Sequence, residues 1–248
     1  MYIKNKLSIS ICGPQGTGAA SAADLLANSI ISAGLYCYYD REYASNIEGM
    51  HSFIKLYVSD EPYYSSIDEV HLLSTYDNES IVRHIFAKEV VPGGAILFDP
   101  SLVNTEISKI NYASQPLLED HLIEGIKKML SEKGLGFKVS DMLKYAELEG
   151  IILCPVPYNN FILEMAKREN KNISEFVIMK NTISVGACLG LLELDPQFLY
   201  KQLEKVFARK GREVVQRNID AAKTGYDYVK SNYAGKFKYK LEARFNVV

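Results

Sequence analysis

Near the start of the chain, Cys12-Gly13-Pro14-Gln15-Gly16-Thr17-Gly18 separates an apolar run, Leu7 to Ile11, from an alanine-rich run, Ala19 to Ala33. A strand, a glycine turn and a helix in this order make an anion cradle. The first N–H groups of the helix lack intrahelical partners, and the helix dipole adds partial positive charge there. Glycine lets a phosphate approach the backbone without a Cβ in the way. The chemistry open to these residues is phosphate or nucleotide binding. Phosphoryl transfer by a Walker A loop needs Lys and then Ser or Thr after the last glycine. Here Ala19-Ala20 follow Gly18, which argues against it. A dinucleotide reading stays open, with Asp40 as the ribose-binding acid at the end of the second strand, although the spacing is not G-x-G-x-x-G. A tight turn with no ligand is the third possibility.

Arg41-Glu42-Tyr43 and the polar stretch to Gly49 follow the second strand, at the carboxyl edge where open α/β sheets bind ligands. Arg41 offers a fork for a phosphate or carboxylate, and Ser45 and Asn46 offer neutral hydrogen bonds. A solvated loop with Arg41 and Glu42 balancing each other fits the same residues. Asn181-Thr182 opens an apolar helix, Ile183 to Leu192, in which Gly186 and Gly190 permit close packing. Asn181 either caps that helix or faces a ligand, capping being favoured by residue type. Asn218, inside the run from Gly211 to Val229, either bonds a partner or faces water.

The elements that must carry these groups read as follows. Ser8 to Cys12 is a strand, Ala19 to Ala33 a helix stopped by Gly34, and Leu35 to Tyr39 a second strand. His51 to Val58, Val70 to Thr75, Ala95 to Phe98 and Ile151 to Val156 are further strands, with a helix over about 79–88. Two helical patterns at about 117–132 and 140–149 form an insertion at about 116–149, and helices follow at 159–168, 174–192, 196–208 and 211–231. The alternation predicts an α/β fold with a mostly parallel, helix-covered open sheet and a helical insertion. One domain is expected over 1–232, with 233–248 as a tail or linker.

The 248 residues are 48% hydrophobic and 23% charged, ordinary globular composition. The formal net charge of −2 argues against a nucleic-acid partner. No run approaches the roughly 20 apolar residues that span a bilayer. Met1-Tyr2-Ile3-Lys4-Asn5-Lys6 leads straight towards a strand, so no signal peptide is expected, and a cytoplasmic protein is. The four cysteines form no C-x-x-C pair and are expected as buried structural thiols. There is no H-E-x-x-H, no G-x-S-x-G and no Gly-Asp-Gly followed by paired asparagines. No metal-binding residue and no catalytic residue is expected in this chain alone.

Taken together, the motifs resemble the gamma subunit or domain of the 2-oxoacid:ferredoxin oxidoreductases, the pyruvate and 2-oxoglutarate enzymes among them. The likeness rests on the turn with Gln15-Gly16, the helix ending at Gly34, and Arg41 to Gly49 before a strand with Ser52. It continues with Tyr76-Asp77-Asn78-Glu79, Lys180-Asn181-Thr182 before Gly186 and Leu189-Gly190, and Asn218 with Gly225-Tyr226-Asp227. It covers most of 7–100 and 150–230, and the E-Y-x-S-x-I-x-G run is its most specific part. The insertion looks like that of archaeal enzymes in which this domain is fused ahead of the alpha domain. Pro14 departs from the family, which more often has glycine there, and proline removes one N–H.

The resemblance implies a Rossmann-like fold of the pyruvate:ferredoxin oxidoreductase domain III type, acting in a hetero-oligomer with alpha and beta subunits. It implies oxidative decarboxylation of a 2-oxoacid to an acyl-coenzyme A with reduction of ferredoxin, contacted indirectly. Coenzyme A is the expected co-substrate, held by Gly13, Gln15, Gly16, Thr17, Gly18, Arg41, Ser45 and Asn46. Thiamine diphosphate, magnesium and 4Fe-4S clusters are expected on partner subunits. Two other outcomes stay open: an independent NAD(P)- or other nucleotide-binding oxidoreductase using Asp40, and a docking subunit with an empty cradle.

Overall fold

The computed structural model describes residues 2–43, 51–65, 67–112 and 115–245. Short apolar runs bounded by turn residues form its strands, and longer periodic runs its helices. In chain order the elements are β1 (Ile3–Lys4), β2 (Leu7–Pro14), α1 (Ala19–Ser32), β3 (Tyr36–Tyr43), β4 (His51–Ser59), β5 (Val70–Thr75), α2 (Asn78–Phe86) and β6 (Val90–Phe98). Then come the short β7 (Asn111–Tyr112) and β8 (Gln115–Pro116), α3 (Asp120–Ser131), α4 (Val139–Leu148), β9 (Ile152–Pro155), α5 (Tyr158–Glu169), α6 (Met179–Leu191), α7 (Gln197–Phe207), α8 (Arg212–Tyr233) and β10 (Tyr239–Lys240).

Six strands form the central sheet in the order β3-β4-β2-β5-β6-β9. β2, β5, β6 and β9 pair in parallel, and β4 runs antiparallel to both β2 and β3. Five strands therefore point one way, and their carboxyl ends share one edge. The expected, mostly parallel sheet is present, with β4 as its single reversed strand. That strand matters for Asp40. β3 runs on through Tyr43, so Asp40 sits inside the strand opposite Lys55 rather than at its end. β4 also separates β3 from β2, so the acid does not stand beside the glycine turn as a ribose-binding acid must.

The face of the sheet bearing Ile9, Ile11, Ile54 and Leu56 packs against α1, α6, α7 and α8. On α1, Ala22, Leu25, Leu26, Ser29 and Ile30 are all buried, as their spacing predicts, and Gly34 ends the helix with φ 85°. The other face is covered by α2, α3 and α4, whose Ile81, Ile126, Leu130, Met142 and Leu143 join Leu73 and Ile96 in a second core. The helical insertion thus supplies α3 and α4 of this layer, beside α2. Within 233–248, β10 pairs in parallel with β1, and Phe237, Tyr239 and Leu241 are buried.

Of the cysteines expected to be buried, Cys12, Cys154 and Cys188 are; Cys37 is half-buried because it lies on β3, the strand at the edge of the sheet. A polar chain crosses the second core. Cys12 Sγ lies 3.1 Å from His84 Nε2, His84 Nδ1 lies 2.9 Å from Glu89 Oε2, and Lys55 Nζ lies 3.2 Å from the same oxygen. Burial alone would lower the His84 pKa from 6.5. Cys12 and Glu89 reverse that and raise it to about 10. Neighbouring His51 is instead lowered to about 3 by burial, with His84 and Arg83 adding to it. A folded-state value above the unfolded one stabilises fully below the unfolded value and is lost as pH rises through the folded one. The stability gap between wild type and His84→Gln is therefore expected to be widest below pH 6.5 and to close towards about pH 10. Urea unfolding at a series of pH values measures it; a gap that widens with pH contradicts the assignment.

Candidate functional site

The turn between β2 and α1 is built by its own backbone. Thr17 N and Oγ1 both donate to the Pro14 carbonyl, at 3.1 and 2.7 Å. Gly16 and Gly18 hold φ 92° and 89°, in the left-handed region that favours glycine. The Asn181 side-chain amide, from α6, donates to the Thr17 carbonyl at 2.9 Å and fixes the turn from outside. A Cβ on Gly18 would overlap that amide. α1 has no side-chain cap, and Ala22 N–H donates to the Gly18 carbonyl at 3.0 Å. Amides at such a helix start are left for a ligand or solvent.

This helix start borders a cleft of about 200 Å³ lined by Pro14, Gln15, Gly16, Gly18, Ala19, Ala20, Arg41 and Ser52. The register explains the gathering: Gly13 is opposite Ser52 on β4, and Ser52 is opposite Tyr43 on β3. Of the residues expected at the site, Gln15, Gly16, Gly18 and Arg41 come together here. Gly13 and Thr17 do not line the cleft. Gly13 lies in β2, where a Cβ would stand 3.0 Å from the Tyr76 ring, and Thr17 spends its donors on Pro14. Ser45 and Asn46, with the rest of 44–50, lie outside the described residues. Beyond Gly18 a larger, mainly apolar cleft of about 520 Å³ runs between α1 and α6–α8, past Leu25, Ile178, Thr182 and Phe207.

Asn181 is not the cap its residue type suggests, and it also lines the larger cleft. It lies inside the first turn of α6, which begins at Met179, and its amide serves the glycine turn. Asn181→Ala is expected to cost about 0.5–1.5 kcal/mol, the net range for one intramolecular hydrogen bond, read as a lower urea midpoint. An unchanged midpoint would mean that water replaces the amide at no cost. Asn218 is buried and internal: Thr182 Oγ1 donates to its Oδ1 at 3.0 Å, and its Nδ2 donates to the Val214 carbonyl at 2.8 Å.

A second polar group stands at the same sheet edge, just past β5 and β6. Lys180 Nζ is 3.4 Å from the Tyr76 carbonyl and 4.0 Å from Asp99 Oδ2, and lies over the rings of Tyr76 and Tyr158 at 5.8 and 5.6 Å. Asp77 caps α2 through Ser80 N–H, and Asp99 accepts from Ser101 N–H at 2.9 Å. The remaining oxygens, Asp77 Oδ2, Asp99 Oδ2 and the Tyr76 and Tyr158 hydroxyls, are buried without hydrogen-bond partners among the described residues. Burial lowers the Lys180 pKa while Asp99 and Asp77 oppose the fall, and burial raises that of Asp77. The cluster can take up polar ligand groups or water beside the turn. Residue chemistry alone did not single it out. The available signal was the acid following each of two successive parallel strands, Asp77 after β5 and Asp99 after β6.

An open α/β sheet with a glycine turn, a bare helix start and an arginine at its carboxyl edge is an arrangement able to take up a phosphate group. Residues 8–228 match the pyruvate ferredoxin/flavodoxin oxidoreductase family, and the chain belongs to it. It is 30% identical over 242 residues to 2-oxoacid:ferredoxin oxidoreductase 1, subunit alpha, of Sulfurisphaera tokodaii, covering 97% of this chain and 36% of that one. It is 29% identical over 206 residues to the alpha subunit of 2-oxoacid:ferredoxin oxidoreductase of Saccharolobus solfataricus, covering 83% and 31%. The chain thus spans about a third of the length of these relatives. The fold is that of 2-oxoglutarate:ferredoxin oxidoreductase from Magnetococcus marinus, a structure with 2-oxoglutarate, coenzyme A and succinyl-CoA bound. The TM-score is 0.66 at 20% identity, over 97% of this chain and 34% of that one. The gamma subunit of keto/oxoacid ferredoxin oxidoreductase from Geobacter sulfurreducens aligns with TM-score 0.57 at 15% identity, over 91% of this chain and 99% of that subunit. No helix among the described residues is long and apolar enough to cross a membrane.

Proposed function

We propose that this chain is the gamma component of a 2-oxoacid:ferredoxin oxidoreductase and that its glycine turn holds the phosphate groups of coenzyme A. The observation that carries this is the cleft in which uncapped helix amides and Arg41 converge. In this reading the amides of Gly16, Gly18, Ala19 and Ala20 donate to phosphate oxygens, and Arg41 supplies the counter-charge. Gln15 lies on the cleft wall and Gly13 and Thr17 shape the turn; Ser45 and Asn46 are proposed as further contacts. Pro14 contributes no donor. The apolar cleft beyond Gly18 offers a surface for the part of the carrier that bears no charge. Lys180 adds a further positive charge at the same edge.

The gamma assignment is supported by the alignment that covers 99% of a separate gamma subunit. Among the described residues no three His, Cys, Asp or Glu side chains gather into a metal site. The donor set does not fit an iron–sulfur cluster or a thiamine–magnesium site, and we assign those groups to alpha and beta partners. The chemistry they supply is decarboxylation and electron transfer to ferredoxin; this chain binds and orients the acyl acceptor. Asp40, inside a strand and away from the turn, weighs against the dinucleotide alternative.

Alone, the chain is expected to give no dye reduction with a viologen, coenzyme A and either pyruvate or 2-oxoglutarate, and to do so only with its partner subunits. Turnover by the isolated chain would overturn the proposal. Tight NADH binding lost in Asp40→Ala would support the dinucleotide alternative instead.

A further inference from the structure

Cys12 directly precedes the glycine turn, but its side chain belongs to the other core, under α2. Its sulfur faces His84 Nε2 at 3.1 Å and Ser10 Oγ at 3.2 Å. His84 is oriented through Nδ1 by Glu89, and Glu89 is paired with Lys55. Nucleophile, base, orienting carboxylate and counter-cation stand in one hydrogen-bonded line, the arrangement that activates a thiol. The binding site proposed above makes no use of it. Cys12 and Ser10 are 0% exposed and His84 is 2% exposed. A site this closed admits only a small, uncharged reagent during fluctuations of its cover, where the rings of His51 and Phe53 pack against His84.

We propose that Cys12 is a peroxide-reactive thiol, converted by hydrogen peroxide to a sulfenic acid with His84 as the proton carrier. The pair shares one proton, which rests on His84 Nε2, and the sulfur attacks one peroxide oxygen. The S–O bond forms as the O–O bond breaks, and the departing hydroxide takes the proton from Nε2. The sulfur is oxidised, the peroxide is reduced to water, and His84 is left neutral. Glu89 stabilises the imidazolium present before the attack, and Lys55 is paired with Glu89; the raised His84 pKa agrees with that role. Tyr76 N–H donates to the Cys12 carbonyl at 3.1 Å, so an oxygen added to this packed sulfur presses on the strand that carries the turn.

The other cysteines provide the control. Burial pushes the thiols of Cys37, Cys154 and Cys188 each up to about 12, and among the described residues none of them hydrogen-bonds an imidazole. Cys37 is the most accessible of the four. Exposure therefore favours oxidation at Cys37, and activation favours Cys12. The 248-residue protein would be exposed to hydrogen peroxide, quenched with catalase into urea containing excess dimedone, and mapped by peptide mass. Cys12 is expected to carry the adduct first. Its rate should fall roughly 100-fold in His84→Gln, the scale of a lost general acid–base group, and by a smaller factor in Glu89→Gln. Faster labelling of Cys37, labelling of Cys12 no faster than Cys154 and Cys188, or an unchanged rate in folded His84→Gln would each overturn the proposal. The ranking within the wild type needs no variant, so it stands even where His84→Gln fails to fold.

Discussion

Gly16→Val is expected to raise the KM for coenzyme A of the assembled enzyme by roughly 10–100-fold, the loss of one hydrogen bond to a charged group at about 1.5–3 kcal/mol. Two effects act together. Gly16 lines the cleft, so a side chain there competes with a phosphate for space, and a β-branched residue at φ 92° pushes the turn out of its present shape. The backbone strain itself costs of order 1–3 kcal/mol and could be mistaken for a binding effect. Gly134→Val separates the two. Gly134 also has positive φ, 67°, but a Cβ there meets nothing within 4 Å, and it lies far along the chain between α3 and α4. Both variants should lose stability, and only Gly16→Val should lose coenzyme A. The effect should fall on KM, with kcat recovered at saturating coenzyme A, because the turn holds the carrier and leaves the reacting atoms to other subunits. An unchanged KM would leave the chain as a docking subunit with an empty cradle.

The anchor of this site was legible in the sequence because it is local. A strand, a glycine turn and an alanine-rich helix follow one another without a break, so Gly16, Gly18 and the helix start needed no tertiary information. Arg41 was found because it lies near a strand end, and β4 then carries it to the turn. Contacts made across the chain were not legible. Asn181 reads as a cap until it is seen holding the Thr17 carbonyl, 164 positions away. Asp40 reads as a strand-end acid until β4 is found inserted between β2 and β3. Cys12 reads as one more buried thiol because neither its sequence neighbours nor its hydropathy point to His84. In each case residue type gave the capacity for chemistry, and only the sheet order and helix packing chose its use.

Gly225→Ala is expected to destabilise the fold by about 3 kcal/mol, the upper part of the usual range for overpacking. Helix propensity predicts the opposite sign, since alanine in a helix interior is favoured over glycine by about 1 kcal/mol. Packing wins here because of what the added methyl would meet. α6 and α8 cross with glycines at the contact, and a Cβ on Gly225 would overlap the Ile183 carbonyl; one on Gly186 would overlap that of Ala222. Backbone carbonyls do not rotate aside as side chains do, so the helices must separate. Ile183, Ala187, Ala221 and Ala222, all fully buried, then lose contact, and the Thr182–Asn218 hydrogen bond lengthens. For a chain of this size about 3 kcal/mol corresponds to a fall in Tm of roughly 6–12 °C. The effect should also reach the candidate site, because the first turn of α6 carries Lys180 and Asn181. A rise in Tm would show that the helix crossing relaxes at no cost. A fall in Tm with the Asn181→Ala effect undiminished in the double variant would show that the displacement stops short of the glycine turn.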